Sequence, residues 1–149
     1  MIQIYNISDS NKWDEIVTSF VNYDVYYLSG YARSFYVHGD GEPQLLYYTN
    51  ESLRAIYVYM KRKTVIDGVY DSITPYGYGG VLFDGEVNEA NLLLFRDEFL
   101  QKMQDENIIS DFVRYHPVLA NAVSMKSISQ VIDLGNTIAM DLTSPEVIW

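Results

Sequence analysis

Residues 44–62 read QLLYYTNESLRAIYVYMKR. Two runs rich in β-branched and aromatic residues flank the turn formers Thr49-Asn50-Glu51-Ser52, which is the pattern of an antiparallel hairpin. Along the second run Ala55, Tyr57 and Tyr59 point one way, and Ile56, Val58 and Met60 the other. Both faces are substantially apolar. A strand of that kind belongs in a sheet covered on both sides.

Towards the N-terminus, a short opening strand IQIY (2–5) precedes Ser8-Asp9-Ser10, a cluster of possible N-caps. The helix they start carries Trp13, Ile16, Val17 and Phe20 on one face. A second helix runs through SGYARSFYVHG (29–39) and stops at Gly39.

Towards the C-terminus, YDSIT (70–74) reads as a third strand ended by Pro75. The clearest helix begins near Asn88, with Leu92, Phe95, Phe99 and Met103 on one face, Leu100 widening it, and Glu98 and Lys102 at i, i+4 spacing. IISDFVRY (108–115) is a strand closed by His116-Pro117, followed by a helical turn through VLANAV (118–123). QVIDLGNTIAMDL (130–142) reads as a terminal hairpin around Gly135-Asn136, in which Ile138, Met140 and Leu142 alternate with Ala139 and Asp141. A meander followed by a strand-helix-strand crossover predicts an α/β domain (α+β mixed): a mixed, mostly antiparallel sheet with helices on both faces, in a single domain over 1–142. SPEVIW (144–149) has Ser144, Pro145 and Glu146 in helix-starting positions, so 143–149 is expected to begin a helix leading into a further domain.

Bulk composition narrows the function. The formal charge is −10, so a stable complex with nucleic acid is not expected. The basic run Lys61-Arg62-Lys63 is either simply solvated or a local site for an anionic ligand. Cysteine is absent, which excludes disulfides, thiolate metal sites and a cysteine nucleophile. His38 and His116 stand in no ligand-like spacing, so no metal is expected. The opening MIQIYNISDSNKW lacks the features of a secretion signal, and no apolar run approaches a membrane span; the expected location is the cytoplasm.

The stretch DSITPYGYGG (71–80) puts three glycines and two tyrosines into its last five residues. A plain turn needs one glycine or two and no flanking rings. Two readings stand: a wide surface loop whose tyrosines lie on the core, or a ligand-facing loop in which glycines admit the ligand to the backbone and tyrosines contact it.

DVYYLSGY (24–31), TPYGYGG (74–80), DFVRYHPVLAN (111–121) and GNTIAMDL (135–142), in this order, resemble the first domain of FemABX-like proteins, which are built from tandem GNAT-type acyltransferase domains. The resemblance covers about residues 23–142. It implies a GNAT-like acyltransferase fold and an aminoacyl or acyl group transferred to an amine, in the best-known members the peptide of a bacterial peptidoglycan precursor in cell-wall synthesis. It also implies a second GNAT-like domain, and a donor, aminoacyl-tRNA or acyl-CoA, that the full protein rather than this half would bind. The first domain holds the acceptor, a small molecule or a peptidoglycan precursor. Carried over residue by residue, this makes Tyr76, Gly77, Tyr78, Gly79, Gly80, Arg114 and His116 the candidate substrate-binding residues. Arg114 could clamp a carboxylate or phosphate, or pair with Asp111 or another acid. His116, before a proline at a strand end, is either a proton carrier or a hydrogen-bonded structural residue.

The chain departs from the coenzyme A loop of a catalytic GNAT domain. Thr74 stands where Gln or Arg is required, and VLFDGEV (81–87), with Asp84 and Glu86, separates the glycines from the helix cap at Asn88. No nucleophile or catalytic pair stands out. Three functions therefore remain: the acceptor-binding half of an acyltransferase, inactive alone; a non-catalytic GNAT-fold module for glycan or peptide; and a stand-alone acetyl-CoA enzyme, against which the altered loop argues.

Overall fold

The computed structural model describes residues 1–139; the expected helix start at 143–149 and Met140 and Leu142 of the expected terminal hairpin lie outside them. The register of the central hairpin is set at Asn50, whose Oδ1 accepts from the backbone N–H of Ser52 at 2.9 Å and of Leu53 at 2.7 Å. Strand β2 (Glu42–Thr49) thereby pairs antiparallel with β3 (Leu53–Lys63), Leu46 opposite Tyr57. Strand β1 (Ile2–Asn6) adds antiparallel to β2, and β4 (Tyr70–Ile73) and β5 (Leu82–Gly85) both pair antiparallel with β3, one at each end of it. Strand β6 (Ile108–Phe112) is parallel to β4 and closes the order β1-β2-β3-β4-β6 as an edge. The result is a mixed α/β fold with a mostly antiparallel six-stranded sheet.

Both faces are covered, as the two apolar faces of β3 require. Helices α1 (Ser10–Thr18) and α2 (Ser29–His38) lie on one side, where Trp13, Val17, Tyr27 and Ala32 bury Leu45, Ile56 and Val58. Helix α3 (Glu89–Asp105) and the short α4 (Ala122–Met125) lie on the other, where Phe95, Phe99, Met103 and Met125 pack on Tyr57, Tyr59 and Leu46. The cap expected for α1 among Ser8, Asp9 and Ser10 is not made: Asp9 forms no side-chain cap bond there, and Asn6 instead caps the preceding 3-10 turn by accepting the Ser8 N–H at 2.9 Å, whereas α2 and α3 are capped as the sequence suggests. Gly39 caps α2 in the left-handed conformation at φ 96°, and Asn88 caps α3 by accepting the Asn91 N–H at 3.0 Å.

Strand β6 stops at Phe112, short of the expected 115, and the helical turn expected at 118–123 is helix only over Ala122–Met125; two elements differ more. Residues 82–85 form a strand where none is expected, because VLFDGEV is too short to show a period and pairs with β3 across a long loop. Residues 131–139, expected to include the first arm of a hairpin, carry no regular secondary structure, and Ile138 is 96% exposed. Alternation of apolar residues specifies a strand only where another strand is there to pair with it.

Candidate functional site

The glycine stretch interrupts a strand. Between the pairs Met60↔Ile73 and Ile56↔Leu82, β3 uses residues 57–59 while the opposing chain uses 74–81, so the excess must leave the sheet. Its ends are pinned to the chain continuing from β6. Thr74 N–H donates to the Phe112 carbonyl at 3.1 Å, Thr74 Oγ1 accepts the Arg114 N–H at 3.2 Å, and Gly79 N–H donates to the Arg114 carbonyl at 2.8 Å. Gly77 and Gly80 have φ of 102° and 97°, where a side chain is strained. They are also places of close approach: a Cβ on Gly77 would stand 2.4 Å from the Tyr26 ring, and one on Gly80 2.7 Å from the Tyr115 ring.

This geometry gives the segment an inner and an outer side, and the candidate residues divide between them. Gly79 and Gly80 are buried, and Tyr78 turns inward, its ring 5.6 Å from that of His116 and 5.9 Å from that of Tyr26. Asn121 ties this side together: its Nδ2 donates to the Gly79 carbonyl at 2.8 Å and to the Tyr27 hydroxyl at 3.1 Å, and its Oδ1 accepts the His116 N–H at 2.9 Å. His116 is buried, and its Nδ1 accepts the Leu119 N–H at 3.2 Å. The proton is thus assigned to Nε2, which donates to Asp24 Oδ2 at 3.1 Å. Burial pushes the Tyr27 phenol far up, with Asp24 adding to the effect, so it stays protonated.

The outer side is open. Tyr76 is 76% exposed, and with Gly77 and Arg114 it lines a cleft of about 680 Å³ on the α2 side of the sheet. The opposite wall comes from the end of α2 and the start of β2, with Phe35, Asp40 and Glu42, and from Lys61, Arg62 and Lys63 at the end of β3. Phe112 of β6, 60% exposed, completes the lining.

The cations of this cleft are not equivalent. Arg62 is held by Asp71 through two bonds, Nε to Oδ1 at 2.8 Å and Nη2 to Oδ2 at 2.9 Å, and that pairing holds its guanidinium above the ordinary arginine value. Lys61 donates to Glu106 at 2.7 Å and sits 4.3 Å over the Tyr70 ring. Lys63 and Arg114 have no acid partner among the described residues. Asp111, the acid nearest Arg114 in sequence, is engaged elsewhere, its Oδ1 accepting from the Tyr57 and Ser72 hydroxyls. Among the acids of the lining, Asp40 faces His38 and Glu42 has no partner among the described residues. Chemically the cleft can bind and orient: it offers two free cations for a carboxylate or phosphate, aromatic surface for a ring, and carboxylates on the far wall for an ammonium.

Of the expected site residues Tyr76, Gly77 and Arg114 line this cleft, as does the basic run, while Tyr78, Gly79, Gly80 and His116 do not. The sequence reading does not single out Phe35, Asp40, Glu42 and Phe112 as lining, or Tyr26 and Tyr31 as the residues behind the glycines. No local pattern reports contacts between positions so far apart in the chain. At the start of α3 the Asn88 cap and Glu89 in the first turn occupy the anion-favouring end, and Asp84 is paired with Arg54.

Among the described residues no group of three or more His, Asp or Glu is placed to hold a metal, and no helix is long and apolar enough to cross a membrane. No protein-family model matches the chain, and no curated protein matches its sequence. The structure is similar to the crystal structure of a ribosomal-protein-alanine N-acetyltransferase from Brucella melitensis biovar Abortus 2308, with a TM-score of 0.48 and 8% sequence identity over 95% of this chain and 99% of that one. At that score and identity nothing about activity or ligand transfers.

Proposed function

We propose that the chain is the acceptor-binding domain of a FemABX-type acyltransferase, and that the cleft between Tyr76 and Lys63 receives an acceptor bearing an amine and an anionic group. One observation carries the reading: in a chain of net charge −10, Arg114 and Lys63 are both left without an acid partner among the described residues, and both line one open cleft beside the glycine segment. A free guanidinium facing a cleft wall is suited to a carboxylate or phosphate. The sequence motifs supply the chemical class, and the parallel crossover from β4 through α3 to β6 is consistent with the GNAT-like domain those motifs suggest.

In this reading the domain's contribution is positional. Arg114 and Lys63 hold the acceptor's anion, Tyr76 packs on its body, and Asp40 and Glu42 hold its ammonium, so that the acceptor is bound in one orientation. The acyl donor, aminoacyl-tRNA or acyl-CoA, is handled by the second domain. Glu89 in the first turn and the Asn88 cap at the start of α3 disfavour a pyrophosphate there.

Titration calorimetry tests this with a cell-wall precursor carrying a free amine and a phosphate, alongside a panel of neutral oligosaccharides. Arg114→Gln is expected to weaken precursor binding about ten-fold, the loss of a charged hydrogen bond. Equal affinities of wild type and variant would remove the cleft from the site. Binding of neutral sugars alone would favour a glycan-binding module instead.

A further inference from the structure

Tyr31 lies on α2, and its hydroxyl donates to the main-chain carbonyl of Tyr76 at 2.8 Å. Among the described residues, no other hydrogen bond joins α2 to residues 74–80. The Tyr31 ring is itself held, edge-on to Tyr26 at 5.1 Å and tilted against Phe35 at 5.2 Å between centroids. Tyr26 fills the space in front of Gly77, where a Cβ would collide with it. Burial raises the Tyr31 phenol above its ordinary value, so the hydroxyl remains a donor. The backbone at Tyr76 and Gly77 therefore has a carbonyl anchor on one side and a ring wall on the other.

A restrained backbone fixes the direction in which the Tyr76 side chain leaves the main chain. Its side chain points outward, on the same cleft as Arg114 and Lys63. An exposed ring on a fixed backbone loses little freedom on binding, which makes it an efficient contact for another ring. A flat surface and two free cations on one cleft complement a molecule that carries its anionic group beside a ring.

We propose that Tyr31 is a positioning residue: it sets the Tyr76 ring to receive the ring of a ligand whose phosphate or carboxylate sits at Arg114. The inference rests on the cleft being the ligand site, and adds to it the ligand's ring and the residue that makes the ring count.

NMR titration of backbone amides with inorganic phosphate and with phenyl phosphate separates the two claims. Wild type is expected to bind phenyl phosphate about five-fold more tightly than phosphate, the gain of one aromatic contact. Tyr31→Phe, which keeps the ring and removes only the hydroxyl, is expected to lose that preference while its phosphate affinity and melting temperature stay the same. Tyr76→Ala should do likewise, and Arg114→Gln should weaken both probes alike. A preference that survives Tyr31→Phe overturns the inference, as does its absence from wild type, and both leave the cleft reading standing. A Tyr31→Phe variant that loses phosphate affinity in parallel also overturns it, since the hydroxyl would then support the fold rather than the ring. If wild type binds neither probe, or Arg114→Gln changes neither affinity, the cleft itself is not an anion site and the role of Tyr31 falls with it.

Discussion

Asp111 and Tyr57 meet across the sheet: the Asp111 Oδ1 accepts the Tyr57 hydroxyl at 2.7 Å, and the same oxygen accepts the Ser72 hydroxyl at 2.6 Å. Asp111 is an exposed residue of the edge strand, but its Oδ1 is turned inward, where it closes the polar end of a fully buried tyrosine. Desolvation raises the Asp111 carboxyl above the ordinary value although both hydroxyls act to lower it, and drives the Tyr57 phenol far up. Replacing Tyr57 by Phe removes one of the two donors and is expected to cost about 1–2 kcal/mol in urea unfolding.

The raised Asp111 value also gives a pH dependence with a definite sign. A carboxyl whose folded value lies above its unfolded one contributes stability that is complete below the unfolded range and lost as pH rises through the folded value. Asp111→Asn keeps an acceptor oxygen for Tyr57 and Ser72 without the charge. The variant should therefore match or exceed wild-type stability at neutral pH and lose that advantage in acid, measured as melting temperature against pH. A large loss at neutral pH would mean that the ionised carboxylate is the better acceptor.

Glu106 behaves in the opposite sense. It receives Lys102 at 2.8 Å and Lys61 at 2.7 Å, and the bonds from Lys102 and then Lys61 lower its carboxyl below the ordinary value. Its contribution is present above the unfolded carboxylate range and disappears as pH falls through the folded value. Glu106→Gln is expected to cost about 1 kcal/mol at neutral pH, and the gap to wild type should close in acid.

Two glycines of this chain should answer an alanine in opposite ways. Gly30, within α2, has nothing within 4 Å of where a Cβ would stand, so Gly30→Ala is expected to stabilise by about 0.5 kcal/mol through helix propensity. Gly77 combines φ 102° with the Tyr26 ring at 2.4 Å, so Gly77→Ala should destabilise by about 2 kcal/mol or more. Chemical denaturation of both variants beside wild type checks the pair.

Trp13 is fully buried, and its Nε1–H donates to the Tyr27 carbonyl at 2.8 Å. Trp13→Phe strips that carbonyl of its partner and leaves a void between α1 and the sheet. A loss of about 2–4 kcal/mol is expected in the same assay.

The periodic elements were legible from residues alone because their causes are local. Trp13, Ile16 and Val17 recur at helical spacing, Gly39 supplies the left-handed cap of α2, and Asn50 sets the hairpin with its own side chain. Alternation along Ala55–Met60 likewise announces a sheet covered on both faces, since a strand apolar on both sides has no other stable place.

What local patterns could not state is which groups end up facing one another. The composition counts ten cations against twenty acids; it does not say that Asp71 and Glu106 would take Arg62 and Lys61 and leave Lys63 and Arg114 free beside one cleft. Nor does TPYGYGG reveal that Tyr76 turns outward while Tyr78, two residues on, turns in against His116. Those outcomes depend on pairings between residues dozens of positions apart, and such pairings exist only once the sheet has brought the strands side by side.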